Sequence, residues 1–402
     1  MRILFVSRCL PLPRHLGDRL ILFHLLRGLR ARGHRCEVLA LSGPKDDETN
    51  RRESAALADH LEAFDERLRS LPTYVARLRS PFPARAAAAW QPAMWEAVSR
   101  RLAAGGIDVV HFLGGIQVYE LRDAARGRPR LIQPYESYSL WLTRAIAAAR
   151  SPLARAPLRL RRLAARAFER RIFVGFDRVL LNAAPDERCL RELAPGLPTA
   201  VIPQGVDPPA EVAPIDRHER AAMVFVGNFS YAPNRDAALR LVDEILPRVR
   251  ARVPQAMLTL VGADPPPWLC RRRGDGVEVT GTVSDVFPWL SRARVFVSPL
   301  AWGAGMKNKT LEAMACGTPV VATPLSCDGI DLADGEHVLL ARTSDEMAEA
   351  VVHLLTDDFL AARLARAARD LVLRRYGWPL VIERYETLYA ELAAAGTGTP
   401  RR

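Results

Sequence analysis

The residues best suited to chemistry fall in one stretch, Ala301-Trp302-Gly303-Ala304-Gly305-Met306-Lys307-Asn308-Lys309-Thr310-Leu311-Glu312. It lies between an expected strand at 295–299 and an expected helix at 310–315. Glycines there permit positive φ and close backbone approach by a ligand. A helix N-terminus adds unpaired N–H groups and partial positive charge, which suits phosphate. Lys307 and Lys309 add two mobile cations, and the chain has only three lysines among its 57 basic residues. That concentration argues against an ordinary solvated loop. Glu312 follows Lys309 by three, so both face the same way in the first helical turn. A carboxylate there can accept two hydroxyl hydrogen bonds, as from a vicinal ribose diol, while Lys309 neutralises neighbouring phosphates. Its bland role would be to complement the helix dipole, worth ~0.3–1 kcal/mol.

Two familiar phosphate motifs fit poorly. Gly303-Ala304-Gly305 resembles a dinucleotide fingerprint, but Asn308 replaces its third glycine. Gly303 to Thr310 resembles a degenerate Walker A, yet the next expected strand, 319–323, offers no acid for Mg²⁺. Neither motif accounts for Glu312.

The elements that must position this loop alternate along the whole chain, the pattern of parallel α/β architecture. Strands are expected at 2–7, 35–41, 108–113, 131–135, 178–182 and 200–203, then at 222–226, 257–261, 277–280, 295–299 and 319–323. Helices are expected at 17–32, 95–104, 234–252, 285–292, 310–315 and 345–355. Residues 42–94 read only as helical fragments. A Pro-rich segment, 206–214, suggests a linker between two cores. Two doubly wound domains would then face each other across a cleft, with ligands at the carboxyl ends of their strands.

Composition narrows the class. At 402 residues, 49% hydrophobic and 25% charged, the chain is long enough for two or three folded domains. Its six cysteines form no CxxC pair, so neither a disulfide framework nor a zinc site is expected. No apolar run reaches the ~20 residues of a membrane span. The opening MRILFVSRCLPLP reads as a buried strand and not a signal peptide, which implies a cytoplasmic protein. The net charge of +12 lies wholly in residues 1–207, with 34 basic against 21 acidic residues. Either a polyanionic partner or an Arg-rich composition accounts for it, since all but three basic residues are Arg. If the stretch from Pro157 is helical, Arg159, Arg162, Arg166 and Arg170 share an arc of about 80°. Ala164, Phe168 and Ile172 would then pack on the domain, and the stripe could meet an anionic membrane. Interleaved aromatics are absent, so nucleic acid is not an expected partner.

With these residues in view, Leu311-Glu312-Ala313-Met314-Ala315-Cys316-Gly317-Thr318-Pro319-Val320-Val321-Ala322-Thr323 resembles the nucleotide-sugar-binding segment of glycosyltransferase family 4, retaining enzymes of GT-B fold. Phe225-Val226-Gly227-Asn228, Leu260-Val261-Gly262, Val279-Thr280-Gly281-Thr282-Val283 and Asp334-Gly335-Glu336-His337 follow in family order. The first half matches more weakly, through 2–7, Gly33-His34, 108–111 and 204–207. Tyr376-Gly377-Trp378 and its helix resemble the family's C-terminal helix, which crosses back onto the first domain. The nearest subgroup resembles sugar transferases of exopolysaccharide loci, including the PEP-CTERM-associated type. The resemblance implies an acceptor-side domain at 1–207, a donor domain at 208–375, and a crossing helix and tail at 376–402.

Three departures from the family stand out. Ala304 occupies the place of the first acid in the usual Glu-x7-Glu pair, which contacts the donor sugar. The region after the first strand of the second half, 227–234, lacks the cations that often hold the diphosphate, so Lys309, with Lys307, is expected to supply that charge. No acceptor-side His follows 131–135, where Glu136 is the candidate instead.

The resemblance thus implies a retaining transfer of sugar from a nucleoside-diphosphate donor to a hydroxyl acceptor, including a lipid-linked one, in polysaccharide or glycolipid assembly. Lys309 and Glu312 would act at the reacting centre. Gly227, Asn228, Val283, Gly303, Ala304, Gly305, Met306, Lys307, Asn308 and Thr310 would surround the donor. Gly17, Asp18, Arg19 and Glu136 would form the acceptor side. No metal and no cofactor is expected. The protein would work in the cytoplasm or on the inner face of the membrane. A catalytically inactive carbohydrate-binding scaffold of the same fold is the alternative, favoured by Ala304. A pyridoxal-phosphate phosphorylase would need one of the few lysines as a Schiff base.

Overall fold

This computed structural model describes residues 1–13, 17–44, 46–67, 70–149 and 151–396. The chain forms two compact units, one of Met1–Ile146, Ser151–Pro203 and the segment from Trp378, the other built on Gln204–Gly377. Residues 397–402, the end of the expected tail, lie outside the described set.

The first unit holds seven parallel strands: β1 (Arg2–Ser7), β2 (Arg35–Ser42), β3 (His60–Asp65), β4 (Val109–Leu113), β5 (Arg130–Tyr135), β6 (Arg178–Leu181) and β7 (Thr199–Val201). Their order is β3-β2-β1-β4-β5-β6-β7. Alternation along β1 sends Ile3 and Phe5 to one face and Leu4 and Val6 to the other, and both faces are covered by core. The helix Trp378–Gly396 belongs to this unit. Its Trp378, Val381, Ile382, Tyr385, Leu388, Tyr389 and Leu392 recur at helical spacing and join the core beside β1. Ile382 sits where a Cβ on Gly28 would be, which lets this helix approach Gly17–Ala31 closely. Polar anchors accompany the packing: His111 Nδ1 lies 2.8 Å from the Tyr389 hydroxyl, and Gln133 donates to the Tyr385 hydroxyl at 2.9 Å. Burial pushes His111 down to about 3, so it is neutral.

The second unit repeats the plan with β8 (Glu219–Val226), β9 (Met257–Val261), β10 (Val277–Gly281), β11 (Ala293–Ser298), β12 (Val320–Ala322) and β13 (Leu339–Leu340), ordered β10-β9-β8-β11-β12-β13. Every pair in both sheets is parallel. Both units are Rossmann-like, the pair that defines the α/β GT-B fold.

Two short edge elements escaped the sequence reading. β3 lies within a region expected to hold only helical fragments, because an edge strand needs only one covered side and its His60, Glu62 and Asp65 break the apolar run. β13 is two residues long and exists through pairing with β12. The expected helix at 234–252 begins at Ala232 and widens at Leu241–Ile245, just before Pro247 removes a backbone donor. Helices not expected over their full length occupy Pro152–Ile172 and Asp358–Arg375. Val206, placed in a linker by sequence, is buried and its N–H donates to Tyr376 O at 2.8 Å.

The arginine stripe is corrected. Arg159 and Arg170 are exposed, but Arg162 and Arg166 are half-buried, and Arg170 donates to Leu193 O. Phe168 and Ile172 pack inward, whereas Ala164 faces solvent. The helix is rotated from the expected orientation because Ala165, Glu169 and Ile172 form its buried line.

Candidate functional site

In the second unit the strand order reverses between β8 and β11, so their carboxyl ends open a crevice where crossovers leave in opposite directions. The loop after β8 begins at Gly227 and the loop after β11 runs through 299–307 into helix Asn308–Ala315. Lys309 and Glu312 stand in the first turns of that helix. Lys307 holds the N-cap position, and no side chain caps the helix there. The first-turn N–H groups and the positive end of the dipole are therefore uncapped by protein side chains.

Lys309 is fixed from three sides. Its Nζ donates to Asn234 Oδ1 and lies 4.6 Å from the centre of the Phe225 ring. A Cβ on Gly227 would come 3.1 Å from the same Nζ and 2.9 Å from the Asn234 amide, so glycine leaves room for both groups. Asn234 Nδ2 in turn donates to Asn228 O at 2.7 Å, which closes the loop after β8 around the amine. Gly262, with φ of 144°, lets the loop after β9 approach Gly227, whose carbonyl lies 2.0 Å from where its Cβ would be.

Burial, then the neighbouring Lys307, pulls the Lys309 amine down to about 7 against the opposing pull of Glu312. Burial pushes the half-buried Glu312 carboxyl up to about 7, with Asp285 adding to the effect and Lys309 opposing it. Among the described residues the Glu312 carboxylate has no hydrogen-bond or ion-pair partner. An acceptor and a cation thus share one helix face, both held at the edge of their charged states.

Lys307 departs from the expected mobile cation. It is buried, and its Nζ donates to Ala304 O and Gly305 O, each at 2.6 Å. It folds the loop. Gly303 takes φ of 126° beside the Tyr231 hydroxyl and Gly305 takes 70°, conformations that glycine supplies. Met306 Sδ receives the Gln204 N–H at 3.1 Å, and Thr310 Oγ1 donates to Ser326 O at 2.7 Å. Both side chains anchor the segment. Among the described residues Asn308 Oδ1 is buried without a hydrogen-bond partner. Ala304 is buried, and Val283 packs partly buried against the unit's core. Asn228 Oδ1 receives the Ser230 N–H at 2.8 Å, which shapes the turn after β8.

The residues expected on the acceptor side belong to the first unit. Asp18, beside Gly17 at the start of helix Gly17–Ala31, pairs with Arg8 at 2.6 Å. Burial works to raise its carboxyl, but the charge and hydrogen bond of Arg8, joined by the Arg19 N–H and charge, hold it below the ordinary value. Arg19 pairs with Asp46 at 2.6 Å and donates to Leu12 O. Both charges are paired internally, which differs from the expected ligand-facing role. Glu136 is half-buried and follows Tyr135, whose φ is 70°.

Sequence reading missed Asn234, Phe225 and Gly262. An Asn after Pro at a helix start reads as capping, and Phe225 reads as core. Only the tertiary fold brings Asn234 and Phe225 against Lys309 and sets Gly262 beside Gly227. Among the described residues, no three His, Cys, Asp or Glu side chains group so as to hold a metal ion.

Residues 220–357 match the family model for glycosyl transferases group 1, and residues 21–209 match that for Glycosyltransferase Family 4. A phosphatidyl-myo-inositol mannosyltransferase of Mycobacterium leprae is 31% identical over 182 residues, covering 44% of this chain and 48% of the relative. A D-inositol 3-phosphate glycosyltransferase of Stackebrandtia nassauensis is 28% identical over 260 residues, 58% of each chain. The chain spans about half the length of the curated relatives it matches. Among solved structures, sucrose-phosphate synthase of Thermosynechococcus elongatus superposes with a TM-score of 0.69 at 20% identity, over 98% of this chain and 99% of that one. Anabaena HepE in complex with UDP gives 0.68 at 16% identity, over 97% and 100%.

Proposed function

Because the chain belongs to glycosyltransferase family 4, we propose that it moves a sugar from a nucleoside-diphosphate donor to a hydroxyl acceptor with retention at the anomeric carbon. The observation that carries this reading is that Lys309 shares an uncapped helix N-terminus with Glu312, whose carboxylate has no hydrogen-bond or ion-pair partner among the described residues. The donor diphosphate would lie over that N-terminus beside Lys309, and Glu312 would accept the ribose hydroxyls. As the glycosidic bond breaks, charge grows on the diphosphate. A cation and N–H groups already in place stabilise that charge without reorganisation, so they lower the barrier beyond tightening binding. Neither a protein-held metal nor a cofactor enters this proposal.

The acceptor would be a hydroxyl of a glycolipid or polysaccharide precursor. Relatives named for phosphatidyl-myo-inositol and D-inositol 3-phosphate support that class, and the resemblance to exopolysaccharide transferases fits it. Catalysis on the inner face of the membrane would follow for a lipid-linked acceptor. Among the described residues no helix is long and apolar enough to cross a membrane.

A thermal-shift screen with UDP, GDP, ADP and TDP and their sugars tests the donor site, because a ligand that binds only the folded form raises the melting temperature. One nucleotide class should stabilise the protein, and Lys309→Ala should reduce the shift without removing it, since its larger effect falls on the transition state. A second reading, an inactive carbohydrate-binding scaffold, is favoured by Ala304 in place of the family's first acid. Nucleotide binding with no turnover of any nucleotide-sugar, hydrolysis included, would select it.

A further inference from the structure

The rotation of helix Pro152–Ile172 leaves an apolar ridge in solvent. Leu153, Leu160 and Leu163 are 87%, 70% and 63% exposed. At ~100° per residue they share one outward face with Ala156, Ala164 and Ala167. The same helix carries seven arginines and one acid, Glu169. Glu169 is buried, where it accepts the N–H groups of Tyr138 at 2.8 Å and Ser139 at 3.2 Å. No acid therefore points outward from the helix, while exposed Arg159 and Arg161 flank the leucines. Arg171 ties the far end to helix Leu71–Arg79 by donating to Leu78 O at 2.6 Å and Arg79 O at 2.9 Å. That helix exposes Tyr74, Val75 and Leu78 and likewise contains no acid.

We infer that this face docks on an anionic bilayer, with Leu153, Leu160 and Leu163 inserted at the headgroup boundary and the flanking arginines against lipid phosphates. Charge selects the occupant. The excess of positive charge lies entirely in residues 1–207, and an apolar ridge between cations matches a surface whose phosphates lie above hydrocarbon. A stripe of arginines alone would bind by charge only. This geometry adds an insertion that salt does not screen.

Flotation of the full chain with vesicles of phosphatidylcholine, alone or mixed with phosphatidylglycerol, tests the inference against a L153Q/L160Q/L163Q variant. Those leucines are exposed, so the variant should keep the melting temperature of the wild type. Wild type should float with phosphatidylglycerol vesicles and retain part of its binding at 1 M salt, where the Debye length is ~3 Å. The variant should lose at least tenfold in apparent affinity at low salt. Equal flotation of the two proteins, binding abolished entirely by salt, or no flotation of wild type would each overturn the proposal. A wild-type dimer that the variant converts to monomer would overturn it too, and assign the ridge to a second copy. Flotation needs no donor, so its outcome is separate from that of the transferase reading.

Discussion

The two sheets share one topology and treat charge at their switch points in opposite ways. At the end of β1, Arg8 is locked to Asp18 and its N–H donates to Leu113 O at the end of β4, while Arg19 is locked to Asp46. At the corresponding ends of β8 and β11, Lys309 leans on a neutral amide and a ring, and Glu312 has no partner among the described residues. Paired charges at the first site stabilise the fold. Those at the second are held at some cost to it, as their shifted protonation shows. A site that destabilises its own charges is prepared to gain when a ligand supplies the countercharge.

The comparison breaks first at Asp46. Its carboxylate and the Arg19 guanidinium are both buried, so Asp46→Ala strands a cation and should cost about 3–5 kcal/mol. Thermal denaturation should fall by roughly 10 °C, at ~2–4 °C per kcal/mol, with nucleotide affinity unchanged below the transition. A variant that melts normally but loses nucleotide binding would move the ligand function to the first unit.

Lys309→Ala should do the reverse. Removing a group that stabilises developing charge lowers kcat by about 10²–10³, with a smaller rise in KM. Its melting temperature should match or exceed that of the wild type, because a desolvated amine is removed. A lowered melting temperature with intact kcat would make Lys309 a structural residue.

Glu312→Ala sharpens the assignment of the ribose. Loss of hydrogen bonds to a charged group costs ~1.5–3 kcal/mol, roughly 10- to 150-fold, and should appear in the donor KM. Unchanged donor kinetics in a folded variant would leave Glu312 as a complement to the helix dipole.

The smallest effect is on pH dependence. Glu312, raised from 4.5 to about 7, binds more protons in the folded state, so its contribution to stability falls as pH rises from 4.5 to 7. Lys309, lowered from 10.5 to about 7, binds fewer, so its contribution rises from pH 7 to 10.5. Together they predict a stability minimum near pH 7 in the ligand-free protein. Melting curves of wild type and a K309M/E312Q variant across pH should differ by that dip, and a saturating donor nucleotide should fill it. Parallel curves would show that neither group is strained.

Most of the strand positions were legible because parallel strands buried on both faces read as short apolar runs, as at 2–7 and 257–261. The edge strand His60–Asp65 was not, since its identity comes from hydrogen bonds to β2 and not from its own pattern. The sequence by itself determined that Lys309 and Glu312 share a helix face after a glycine loop, for that follows from local spacing alone. Tertiary structure decided the rest. It placed Asn234 and Phe225 against Lys309, turned Lys307 inward onto Ala304 and Gly305 carbonyls, and directed Asp18 and Arg19 to partners within the first unit. It also rotated helix Pro152–Ile172 so that leucines face outward. Spacing fixes which residues lie on one side of a helix, but which side is buried depends on what the rest of the chain brings to meet it.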